Sequence, residues 1–99
     1  MDFTIKNLQK GIAEVSREIG YLIIDTNPNG QYNMVRKLAG NHYPRFHAYV
    51  KQSGQDFNFS LHLDQKQPSY EGAHAHSGEY FGPVVETEAD RIKEILKND

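Results

Sequence analysis

The residues of this sequence that are best suited to chemistry are histidines and carboxylates in its second half. His62 and Asp64 are two positions apart in a run of alternating apolar and polar residues, and His74 and His76 repeat that spacing further along the chain. In extended backbone, side chains two positions apart point to the same side, with α-carbons about 6.5 Å apart. Two imidazoles with one or two carboxylates can bind zinc, or iron, manganese or nickel at higher coordination numbers. The predicted metal ligands are His62, Asp64, His74, His76 and Glu79.

The amino-acid composition narrows the kind of metal site. The chain has five His and no Cys, which excludes disulfides, thiolate zinc sites and cysteine nucleophiles. A zinc site made only of imidazole and carboxylate is more typical of an open, catalytic centre than of a closed, structural one. One hypothesis is therefore a metal-dependent hydrolase with Glu79 as general base. The alternative is that the histidines only form hydrogen bonds and stay solvated, and the sequence leaves both open.

His74 and His76 stand in a long connection, residues 65–81, that has no helical periodicity. Connections of this length without regular structure are uncommon in a small domain and are usually functional or disordered. Tyr70 and Tyr80 favour contact of this segment with the body of the protein. We therefore expect an ordered loop that carries part of a site, with a solvated linker as the alternative.

The elements that must position these residues include a β-hairpin whose register can be predicted. Apolar side chains occupy even positions from 46 to 50 and odd positions from 57 to 63. Both sets must face the core, so residues that pair across the hairpin have an odd index sum. A tight reversal at Ser53-Gly54 predicts a sum of 107. On the solvent-facing side, this register places Arg45 opposite His62.

The solvent-facing side of this hairpin is a candidate binding surface. Its side chains are polar or aromatic, and aromatic rings beside cations bind nucleic-acid bases, phosphates or partner proteins. The predicted function is a small binding module whose surface joins this polar face to the histidine loop, with a divalent metal such as zinc as the candidate cofactor. A binder of RNA or single-stranded DNA and a protein-interaction adaptor are alternatives. The candidate binding residues are Arg45, His47, Tyr49, Tyr70 and Tyr80.

Two helices are predicted at the ends of the chain. Apolar residues recur at steps of three and four from residue 5 to 19, which predicts a helix over about 4–19 that ends at Gly20. Gly82-Pro83 predicts the start of a second helix with its own apolar stripe. The predicted fold is a single α+β domain, residues 1–99, in which the N-terminal and C-terminal helices cover one face of a four-stranded antiparallel sheet.

Composition and charge bear on location and partners. Hydrophobic residues make up 37% and charged residues 24% of the 99 residues, as in a single globular domain. The net charge of −2 argues against nucleic acid or an anionic membrane surface as partner. The longest apolar run, residues 21–24, is far shorter than a membrane span, and no secretory signal is visible, so a cytoplasmic location is expected. An open sheet edge is expected to allow pairing into a homodimer.

Two resemblances accompany these patterns. Residues 61–66, 68–70 and 75–80, with the sequences LHLDQK, PSY and AHSGEY, resemble a group of small microbial proteins of no known function. That resemblance implies a recurrent fold and no particular chemistry. The order of helix, antiparallel sheet and helix is similar to that of the double-stranded RNA-binding domain. In that family the final helix starts with basic residues that meet phosphate, whereas Glu86 and Glu88 here would repel phosphate.

Overall fold

The computed structural model describes residues 1–65, 78–79 and 82–97. Within these ranges lie six strands and two helices. In chain order they are β1 (Asp2–Ile5), α1 (Ile12–Ile19), β2 (Leu22–Thr26), β3 (Gln31–Lys37), β4 (Arg45–Ser53), β5 (Asp56–Asp64), β6 (Gly78–Glu79) and α2 (Pro83–Leu96).

The described strands form one antiparallel sheet in the order β1-β5-β4-β3-β2, and β6 pairs with the end of β5. The predicted α+β class and antiparallel sheet are therefore confirmed. The prediction of four strands is corrected, because β1 adds a fifth strand along β5, with Phe3 opposite Phe59 and Ile5 opposite Phe57.

The predicted N-terminal helix over residues 4–19 is wrong in its first half, since α1 begins only at Ile12. The apolar positions Ile5 and Leu8 are buried, as the helical spacing implied, but they reach the core from a strand and a loop. The ring of Phe3 stacks on a phenylalanine of β5 with centroids 5.0 Å apart. If α1 began at residue 4 as predicted, the backbone groups of β5 would stay unpaired at the edge of the sheet. The pairing of β1 with β5 satisfies these groups and buries apolar surface.

The C-terminal helix begins at Pro83, as predicted. Its apolar stripe is fully buried, whereas Ile95 beside the stripe stays 38% exposed. Neither α1 nor α2, the helices of the described residues, is long and apolar enough to cross a membrane. The buried stripe of α2 consists of Val85, Ala89, Ile92 and Leu96.

The turn between β4 and β5 lies at Gly54-Gln55, one position later than predicted. Ser53 pairs with Asp56, so paired residues have an index sum of 109 in place of 107. Gly54 adopts φ 62°, in the left-handed region that glycine reaches without steric cost. Because 109 is also odd, every side chain keeps its predicted side of the sheet, but its partner on the other strand changes.

The hydrophobic core lies between the two helices and one face of the sheet. Even positions of β4 and odd positions of β5 supply its sheet side, as the alternation predicted. The other side of the sheet, the polar face, carries Arg45, His47 and Tyr49 from β4 and Ser60, His62 and Asp64 from β5.

Candidate metal centre

Three side chains of the polar face meet in one cluster. His47 Nδ1 lies 3.3 Å from one carboxylate oxygen of Asp64, and His62 Nε2 lies 3.0 Å from the other. One ligand atom from each residue lies within 4.8 Å of the other two. A cluster of two imidazoles and one carboxylate at these separations could hold a metal ion.

The register of β4 and β5 creates this cluster. His47 and His62 are directly opposite each other, and Asp64 lies opposite Arg45. Asp64 follows His62 by two positions, so both side chains stand on the polar face. The predicted pairing of Arg45 with His62 is wrong, because the turn at Gly54 shifts each partner by two positions.

Asp64 is held in its charged form. Its side chain is 17% exposed, and this burial alone would raise its pKa. Hydrogen bonds from His47 and His62 act in the opposite direction and bring the pKa of Asp64 well below its usual range. The cluster therefore contains a carboxylate anion at any pH near neutrality, which is the form that a metal ligand needs.

The two imidazoles are fixed by packing as well as by Asp64. His47 and His62 are 8% and 7% exposed, and their ring centroids are 4.8 Å apart. The Tyr49 ring contacts both, with centroids 4.6 Å from His47 and 5.8 Å from His62. These contacts hold the ring nitrogens in position before any ligand arrives.

Two buried polar atoms, one in the cluster and one beside it, have no hydrogen-bond partner in the part of the chain that the structure describes. They are Nε2 of His47 and Nε of Arg45. Arg45 Nε stands 3.5 Å from Asp64, and the guanidinium lies 4.6 Å from the centre of the Tyr43 ring. Arg45 thus places a positive charge next to the carboxylate without making a short hydrogen bond to it.

The separations in the cluster can be compared with those of a zinc site. Ligands that bind zinc at about 2.0–2.2 Å in tetrahedral geometry lie roughly 3.3–3.6 Å from one another. The two nitrogen–oxygen distances, 3.3 and 3.0 Å, run to different oxygens of Asp64, and one ligand atom from each residue lies within 4.8 Å of the other two. Side-chain rotations that bring the three ligand atoms closer together would exchange the two hydrogen bonds for bonds to one cation.

The structure places the predicted site residues in three groups. His47, His62 and Asp64 are in the cluster, and Arg45 and Tyr49 flank it. For Glu79 the structure describes a backbone position in β6, opposite Leu63. The remaining predicted residues, Tyr70, His74, His76 and Tyr80, lie outside the described residues.

Sequence reasoning missed His47 as a metal-ligand candidate and assigned it only to the binding surface. The signal that could have found it is the turn. With the reversal at Gly54-Gln55, a glycine in the first position of a two-residue turn, the alternation alone places His47 opposite His62.

Comparison of the chain with family models, curated proteins and solved structures found no match. The resemblance of residues 61–80 to a group of small microbial proteins stays a prediction. The chemistry of the cluster is therefore the evidence that bears on function.

Proposed function

We propose that this chain is a small metal-binding module that holds one divalent transition-metal cation on its polar face. His47 Nδ1, His62 Nε2 and a carboxylate oxygen of Asp64 are the proposed ligands. The observation that carries the proposal is the convergence of two buried imidazoles on one charged carboxylate. Three protein ligands leave at least one coordination position for water or another ligand.

Zinc is the first candidate cation and iron(II) the second. Nitrogen and carboxylate ligands without thiolate suit zinc, and two histidines with one carboxylate are also the ligand set of non-haem iron(II) sites. The hydrolase hypothesis, with Glu79 as base, stays a prediction.

A polar groove beside the cluster supports a binding role for this face. The groove has a volume of about 410 Å³ and is lined by Tyr49, whose ring contacts both imidazoles of the cluster. Its walls also include Lys51, Asn58 and Ser60, which can donate and accept hydrogen bonds. A molecule bound in this groove would lie next to the proposed metal.

Calorimetric titration of the tag-free, chelator-treated chain with zinc or iron(II) tests the proposal. We expect one cation per chain, and we expect His47→Gln, His62→Gln and Asp64→Asn each to weaken binding at least about tenfold. His42→Gln is the matched control, because His42 is an exposed histidine outside the cluster. Absence of saturable binding by both cations, or unchanged affinity in the three cluster variants, would contradict the proposal.

Arg45→Gln should change the affinity for the cation in the opposite direction. The positive charge beside Asp64 repels a divalent cation, so its removal should strengthen binding at least about tenfold. A cluster that only stabilises the fold would show no such gain. Weaker binding in this variant would mean that Arg45 positions Asp64 and would remove the electrostatic argument.

The histidine tautomers give a second readout that needs no variant. The hydrogen bonds to Asp64 place a proton on Nδ1 of His47 and on Nε2 of His62. A metal bound at those atoms displaces these protons, so that a ring proton can lie only on the other nitrogen. Nitrogen NMR shifts should therefore report the loss of the proton from both of these nitrogens when zinc is added. Calorimetric titrations of His74→Ala and His76→Ala show whether these predicted ligands, which lie outside the described residues, also bind the metal.

A further inference from the structure

A second polar cluster lies on the helix side of the sheet, centred on Glu88 of α2. Glu88 is 3% exposed and accepts five hydrogen bonds. Tyr21 Oη donates at 2.6 Å, Arg36 donates through Nε and Nη2 at 3.0 Å each, and Arg91 donates through Nε and Nη2 at 2.8 and 3.0 Å. Both guanidiniums thus bind one carboxylate in the two-pronged geometry that arginine favours.

This cluster contains more positive than negative charge. Two guanidiniums surround one carboxylate, and Tyr21 stays neutral because burial and the neighbouring Glu88 raise its pKa. The net charge of the group is therefore +1. The bonds to Glu88 use Nε and Nη2 of each arginine, and Arg91 Nη2 also donates to the carbonyl oxygen of Ile19. The N–H groups that these bonds do not use are those of Nη1 on both arginines and one N–H of Arg36 Nη2.

The charged residues of this network, Arg36, Glu88 and Arg91, line a groove of about 420 Å³ between β3 and the start of α2. The groove walls are otherwise mainly apolar, and two of them, Leu38 and Val84, are 42% and 49% exposed. A volume of this size suits a small organic molecule. The other apolar walls are Phe46 and Pro83.

We propose that this groove binds a small monocarboxylate with an apolar tail, the carboxylate on Arg36 and Arg91 and the tail along Leu38, Phe46 and Val84. One unbalanced positive charge matches one negative charge, and a planar carboxylate fits the Nη1–Nη2 edge of Arg36, with Nη1 of Arg91 as a further donor. The apolar walls exclude a small, fully hydrated anion such as phosphate, because no part of it would gain from leaving water. This site is separate from the metal cluster, which lies on the opposite face of the sheet.

Calorimetry with octanoate as the probe tests this site on the complete chain. We expect saturable binding of octanoate that is at least about tenfold stronger than that of 1-octanol, which has the same tail without the charge. Octylammonium, with the opposite charge, should not bind. Equal affinities for octanoate and 1-octanol, or no binding of octanoate, would overturn the proposal.

Variants at exposed positions avoid disturbing the network around Glu88. Val84→Glu places a negative charge in the wall of the groove and should weaken octanoate binding at least about tenfold. Ile95→Glu is the matched control, since Ile95 is an exposed residue of the same helix outside the groove, and its affinity should equal that of the unaltered chain. Unchanged binding in Val84→Glu, or an equal loss in both variants, would overturn the assignment to this groove. Circular dichroism checks that both variants keep the fold.

Discussion

Asp64 and Glu88 are both carboxylates whose charge the surrounding side chains stabilise, and both differ from what their positions in the sequence indicate. The sequence predicts that Asp64 shares a site with His62, yet the second imidazole that it contacts belongs to His47 on the neighbouring strand. Glu88 looks like a helix-dipole residue in the first turns of α2, yet it is buried between two arginines. In each case one partner stands on the same element, His62 on β5 and Arg91 on α2, but the other partners come from other elements. Periodicity along one element could therefore not predict the complete set.

Replacing Glu88 should reveal the strength of its network through the pH dependence of stability. Burial alone would raise the pKa of Glu88, but hydrogen bonds from Arg91, Arg36 and Tyr21 lower it from 4.5 to about 2. A lowered folded-state pKa stabilises the protein above the unfolded pKa, and this contribution is lost as the pH falls from about 4.5 towards 2. Glu88→Gln should therefore cost about 3 kcal/mol at pH 7, with a fall in Tm of more than about 10 °C.

The matched control for this prediction is Glu94→Gln on the same helix. Glu94 is 72% exposed and forms a surface ion pair with Lys97, so its replacement should change stability by less than about 0.5 kcal/mol. Thermal unfolding followed by circular dichroism between pH 2 and pH 7 measures both variants. If the difference between Glu88→Gln and the unaltered chain did not shrink below pH 4.5, the charge of Glu88 would not be its source.

At the scale of elements, the sequence predicts an element well where one physical signal dominates. α2 has a proline at its start and an apolar stripe of its own, and the structure agrees with both. The first helix fails because the side chains of Ile5 and Leu8 satisfy helical spacing while the backbone of residues 2–5 pairs with β5. Edge pairing depends on a strand more than fifty residues away, and a local pattern holds no information on it.

The turn at Gly54 decides which side chains meet on the polar face. The loss of stability when this glycine is replaced can be measured. Gly54 has φ 62°, and a Cβ there would meet no atom within 4 Å. Gly54→Ala should therefore destabilise the protein through backbone strain alone, by about 1–2 kcal/mol. Gly40→Ala is the matched control, because a Cβ at Gly40 also meets nothing and its φ is not in the left-handed region. Denaturant unfolding should separate the two variants, and equal midpoints would show that the turn tolerates a side chain.

At the scale of the whole molecule, the sheet separates two kinds of chemistry. Its helix side contains the hydrophobic core and the Glu88 network, and its polar face contains the His47, His62 and Asp64 cluster. The alternation of β4 and β5 was enough to predict these two sides. It was not enough to predict the cluster, because pairing His47 with His62 needed the turn position, and a change of one residue in the turn moves each partner by two.

This separation predicts that a cation on the polar face and the Glu88 network stabilise the protein independently, given the proposed metal site. At a zinc concentration one hundred times the Kd, binding should add about 2.7 kcal/mol to the free energy of unfolding. Groups on opposite sides of the sheet that share no hydrogen bond should contribute additively, within about 0.5 kcal/mol. Zinc should therefore stabilise Glu88→Gln as much as it stabilises the unaltered chain, whereas His47→Gln, with at least about tenfold weaker binding, should gain at most about 1.4 kcal/mol.

Denaturant unfolding is measured with and without zinc on these three proteins and on the double variant that carries both Glu88→Gln and His47→Gln. The eight free energies give the zinc effect in each of the four proteins. A zinc effect that was smaller in Glu88→Gln by more than about 1 kcal/mol would show coupling between the two sides. Such coupling would have a short route through the backbone, since Arg36 pairs with Phe46 and Phe46 precedes His47. Additivity would instead establish that each side of the sheet can be altered, or occupied by a ligand, without changing the other.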